Sequence, residues 1–92
     1  MKTEHDIKNF LHEQGWQPTP HGNFTREVLF SRNGKGKKKL RKMRVMFRPD
    51  GCEVEMQSLF DTSWIRVGHC PVEKIIYTRR GVKIGDALLL EE

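Results

Sequence analysis

An α+β domain is the fold class that the sequence predicts: an N-terminal helix packed on a four-stranded, mainly antiparallel sheet, then a short C-terminal helix or hairpin. Three observations predict it. Apolar residues recur at helical spacing near the N-terminus, they alternate at strand spacing from Phe24 to His69, and strong turn signals separate the alternating runs. A chain of 92 residues has room for one hydrophobic core, so residues 1–92 read as a single small domain.

The helix spans Thr3 to Gln14. Thr3 can cap it, and Asp6 places a carboxylate in the first turn, where the helix dipole favours one. Ile7, Phe10 and Leu11 form one apolar stripe. Gly15 suits the left-handed residue just past the end, and Trp16 can then pack back on Leu11. Residues 17–23 hold Pro18, Pro20 and Gly22 and read as a loop. A strand follows over 24–32, with Phe24, Val28 and Phe30 on one face. Asn33-Gly34-Lys35-Gly36 interrupts it as a basic connection.

The next strand runs over 39–48. Met43, Val45 and Phe47 point one way; Lys42, Arg44, Met46 and Arg48 point the other. Pro49-Asp50-Gly51 signals a turn, and a strand over 52–60 places Cys52, Val54 and Met56 inward against Glu53, Glu55 and Gln57 outward. Because Phe47 and Val54 must share a face, the hairpin loop must be even in length, with Asp50-Gly51 as the two-residue candidate. That register sets Arg48 opposite Glu53, Met46 opposite Glu55, and Arg44 diagonal to Glu55. A fourth strand covers 63–69. Pro71, the Val72/Ile75/Ile76 spacing and Gly81 fit a short helix over 71–81, although its β-branched content also suits a strand. Leu88, Leu89 and Leu90 are apolar enough to cover the core as a last strand.

Charge is unevenly distributed. Of 17 basic residues, nine lie between Arg32 and Arg48, where there is no Asp or Glu. Outside that segment eight bases face 12 acids, a net charge of −4. A mildly acidic body carrying a +9 segment attracts polyanions better than an even scatter of the same charges. Lys/Arg clusters displace the counterions condensed on nucleic acid. The expected function is therefore non-catalytic nucleic-acid binding, to RNA or DNA. The phosphate contacts come from Lys35, Lys37, Lys38, Lys39, Arg41 and Lys42, with Arg44 and Arg48 partly tied to glutamates. Gly34-Lys35-Gly36-Lys37 lacks the spacing of a phosphate-binding P-loop and leads into a strand.

Two other functions fit the sequence. A small interaction module, an inhibitor or adaptor, could dock an acidic protein through this hairpin. A histidine-dependent ribonuclease could use His21 or His69. The element order resembles, coarsely, small toxin ribonucleases of the HicA type, but those carry a histidine on an early strand and 24–32 has none. Trp16, Trp64 and Tyr77 fit core or partner surface better than base stacking, since no aromatic shares the basic outer face of 39–48. Cys52 and Cys70 do not form a disulfide framework, and neither they nor the histidines show metal-ligand spacing. No metal or cofactor is expected, and the thiols suit a reducing cytoplasm. No apolar run approaches a membrane span.

Overall fold

The structure, a computed structural model, describes residues 3–32, 38–58 and 60–90, with the side chains of 28–32, 38–40 and 90 outside the description. Helix α1 (Glu4–Glu13) begins with a reciprocal cap. The Thr3 hydroxyl accepts from the Asp6 N–H, and the Asp6 carboxylate accepts from the Thr3 N–H at 2.8 Å. At the other end the Trp16 N–H donates to Leu11 O and the Gly15 N–H to His12 O, a Schellman ending with Gly15 at φ 85°. Trp16 is buried by that arrangement, as the spacing predicts.

Five antiparallel strands follow in sheet order: β1 (Gln17–Pro18), β2 (Phe24–Arg32), β3 (Lys38–Arg48), β4 (Gly51–Gln57) and β5 (Trp64–Cys70). The four-stranded expectation misses β1, because a proline pair reads as loop. Pro18 is tolerated there since β1 is an edge strand with only β2 beside it. After a single 3₁₀ turn at Val72–Lys74 come β6 (Ile76–Tyr77), β7 (Gly81–Ile84) and β8 (Ala87–Leu90), a separate three-stranded sheet. The short helix expected over 71–81 is thus corrected to a turn and strand. Ile76 and Tyr77 pair with Lys83 and Val82, where β-branched and aromatic residues are well accommodated.

The even hairpin loop is present, moved by one residue. Arg48 pairs with Gly51, so the loop is Pro49-Asp50, and the register becomes Phe47 with Cys52, Met46 with Glu53, Val45 with Val54 and Arg44 with Glu55. Proline, lacking an N–H, fits the first central position of the turn. Gly51 then takes φ 137° and lies against the Cys70 carbonyl, where a Cβ would collide. Strand β4 also stops earlier than expected, at Gln57. The Ser58 N–H donates to Ser63 O at 2.9 Å and closes a loop over 58–63.

One core joins the elements: Ile7 and Leu11 from α1, Phe24, Met43, Val45, Cys52 and Val54 from the large sheet, and Val82, Ile84, Ala87 and Leu89 from the small one. The two sheets meet at Gly68, where any Cβ would strike the Ile84 carbonyl and Ala87. Leu88 faces outward and is exposed, so of the expected leucine cover Leu89 supplies the buried member; the side chain of Leu90 is outside the description. Ile65 is likewise half exposed, on edge strand β5 beyond a bulge opposite Val54/Glu55. Among the described residues no helix is long and apolar enough to cross a membrane.

Candidate nucleic-acid interface

Strand β3 carries bases along its whole length, and pairing divides them at Met43. From Met43 to Arg48 the strand lies between β2 or the turn and β4, whose outward residues are acids. From Lys38 to Lys42 it pairs only with β2, out to Arg32 opposite Lys38. At about 3.3 Å per residue, these five residues form a two-stranded arm running roughly 15 Å past the last β3–β4 pair.

On the sheet side, the outer face is a lattice of ion pairs. Glu53 is 3% exposed although it points away from the core. Its carboxylate accepts from Arg48 Nε at 2.8 Å on one oxygen and from Arg66 Nε on the other. Burial alone would push the carboxyl upward. The hydrogen bonds and charges of Arg48 and Arg66 outweigh that and hold it below the ordinary glutamate range. Met46, opposite Glu53, is buried on this same outer face, with an Arg48 nitrogen 3.7 Å from its sulfur. Arg44 pairs with the directly opposite Glu55 at 2.6 Å, and its guanidinium lies 4.1 Å from the Trp64 ring centroid.

Arg44 and Arg48 are thus tied to glutamates as the sequence suggests, but each partner sits one step from the expected position. Arg44 faces Glu55 directly and Arg48 reaches Glu53 diagonally, because the loop is Pro49-Asp50. Sequence reasoning missed Arg66, the third member of the Glu53 cluster. Its signal was available, since Arg66 lies on the outward parity of β5, but the bulge that sets its position was not legible.

On the arm side, Lys42 is exposed, opposite Glu27. Arg41 is half buried and its Nε donates to the Gln57 carbonyl at 2.7 Å, linking the base of the arm to the end of β4. Lys38 and Lys39 are backbone-paired with Arg32 and Ser31. Lys35 and Lys37 lie outside the described residues.

The histidines are not gathered. His5, His12 and His21 are exposed on α1 and in the turn after β1. His69 ends near Asp50, with its buried Nε2 3.6 Å from the carboxylate and without a hydrogen-bond partner. An open groove of about 450 Å³ near the β3–β4 turn is lined by Glu4, Arg48, Asp50, Pro71 and Glu73, and His69 is not part of its wall. Among the described residues no three His, Cys, Asp or Glu side chains converge as a metal would require. No protein-family model, curated protein or solved structure matches the chain.

Proposed function

We propose that the protein is a non-catalytic nucleic-acid-binding domain whose phosphate contacts come from the β2–β3 arm. The observation that carries this reading is the division of β3. The bases nearest the turn are paired with Glu53 and Glu55, whereas Lys38, Lys39, Arg41 and Lys42 lie past the last β3–β4 pair, and Lys35 and Lys37 belong to the same acid-free run of the sequence. A projecting arm whose β3 strand is rich in lysine and arginine presents charge to a long polyanion, with Glu27 of β2 the acid opposite Lys42. Arg44 and Arg48 contribute least, since a phosphate must compete with a carboxylate already in place.

The test is retention on single- and double-stranded RNA and DNA over a range of salt. Four to six contacts give a slope of log affinity against log salt of about −3 to −5. Reversing charge at Lys37, Lys38 and Lys39 should flatten the slope and nearly abolish binding, while reversal at Lys8 on α1 should leave both unchanged. No retention on any nucleic acid at about 50 mM salt, a condition where phosphate-driven binding is strong, would overturn the reading. An acidic protein docking on the same arm would then be the function to pursue.

A further inference from the structure

Phe60 is 96% exposed, the most exposed large apolar residue described, and its position ties it to the basic arm. In an antiparallel meander the β2–β3 and β4–β5 connections emerge at the same end of the sheet. Arg41 at the base of the arm bonds the Gln57 carbonyl, and Phe60 follows three residues later, within about 11 Å of chain.

The described residues on either side of it share hydrogen bonds. The Phe60 N–H donates to the Ser58 hydroxyl at 3.1 Å, and the Ser63 N–H donates to the Asp61 carboxylate at 2.8 Å. The Phe60 ring itself stands in water. The other candidate aromatics are engaged. Trp16 is buried, Trp64 has Arg44 against its ring, and Tyr77 packs edge-on against Phe10 at 6.4 Å. Asp61 is the one acid beside Phe60 in the loop, and its hydrogen bonds to Ser63 hold it ionised. It repels phosphate locally, so a strand lying here would keep its backbone toward Arg41 and Lys42 and turn its bases toward the ring.

We propose that the arm takes single-stranded nucleic acid, with one unpaired base stacked on Phe60 while the neighbouring phosphates lie along β3. Resting on the nucleic-acid reading above, this names the substrate class for that site. A ring with a free face at the end of the sheet from which a cationic strand projects suits single-strand binding, because every base offers a π-face. A duplex keeps those faces inside its stack and gives Phe60 nothing to hold.

The experiment titrates a single-stranded 12-nucleotide oligomer and the matched duplex against the wild type, Phe60→Ala, Phe60→Trp and the Lys37/Lys38/Lys39→Glu variant. Phe60→Ala should weaken the single strand by about five- to 150-fold, the worth of one stacked base, with duplex affinity and salt slope unchanged. Phe60→Trp should restore binding and add an indole signal, relative to wild type, that the oligomer quenches. Phe60 is exposed, so the variants should melt as the wild type does. If Phe60→Ala binds both forms as well as wild type, or loses both equally, the single-strand assignment is wrong, and the lysine variant then reports whether phosphate binding survives on its own. If the wild type binds neither form, both readings fall together.

Discussion

The two halves of β3 both carry basic residues but lie against different neighbours. Between Met43 and Arg48 every guanidinium has a carboxylate within hydrogen-bonding reach, and the resulting lattice closes the outer face of the sheet over Met46 and Glu53. Between Lys38 and Lys42 the same strand has outrun β4 and the acids that β4 carries. Basic residues alone do not make a polyanion site. What matters is which acids the neighbouring strands set against them: β4 stops at Gln57, and β2 places Glu27 opposite Lys42.

If the sheet body carries stability and the arm carries binding, the largest effect should come from removing the small sheet. Deleting Val82–Glu92 takes away Val82, Ile84, Ala87 and Leu89, all buried. Each large apolar side chain lost from a core costs about 2–5 kcal/mol, and a small domain has only about 5–15 kcal/mol in total. The truncated chain should show no cooperative thermal melt, whereas the Lys37/Lys38/Lys39→Glu variant should melt within a few degrees of wild type. A truncated chain that melts normally would remove the small sheet from the core.

A middle-sized effect is expected where charge can be released from the lattice. Glu53→Gln removes the carboxylate shared by Arg48 and Arg66 and should cost about 1–3 kcal/mol, limited because both arginines are half exposed. The pH dependence has a definite sign. Glu53 is held below the ordinary glutamate range, so its contribution is present above that range and lost as pH falls through its lowered value. Wild type and Glu53→Gln should therefore converge in stability on acidification. Freed arginines should also raise affinity for nucleic acid a few-fold. If affinity is unchanged with the stability loss in place, the outer face does not communicate with the binding site, and the division at Met43 is sharper than proposed.

Much of this was legible in the residues. The α1 cap at Thr3 and Asp6, the Gly15 ending and the core face of β3 and β4 all follow from local patterns that tertiary contacts reinforce. Besides β1 and the β5 bulge, three further features were not legible. The loop moved to Pro49-Asp50 because Gly51 must pass the Cys70 carbonyl of another strand. The Val72/Ile75/Ile76 spacing suits a helix, but Val72–Lys74 make only one 3₁₀ turn before Ile76 and Tyr77 pair with β7 in extended backbone. The alternation of 52–60 runs past the true end of β4, so Phe60 reads as strand and not as an exposed loop ring. The acid-free run from Arg32 to Arg48 was plain in the sequence. Its division at Met43, where pairing with β4 ends, required the strand ends.

The smallest effect expected lies beneath the lattice, at Cys52. This thiol is fully buried, opposite Phe47 on one side and Cys70 on the other, and both cysteines are free. Burial, then the nearby Cys70, Glu4 and Glu53, push its pKa up to about 12 from an ordinary 9.0. A folded-state value above the unfolded one means that the contribution is whole below 9.0 and lost as pH rises toward 12. At pH 10 the loss is on the order of 1 kcal/mol, since each pH unit in that window is worth about 1.4 kcal/mol. Cys52→Ala leaves a small cavity at every pH but no such slope, so the stability gap between wild type and variant should narrow from pH 8 to pH 10. Tyr77, also raised, is common to both proteins and cancels in the comparison. A gap that stays constant over those two units would mean that water reaches the Cys52 sulfur, and that the sheet under the lattice is looser than its closed outer face implies.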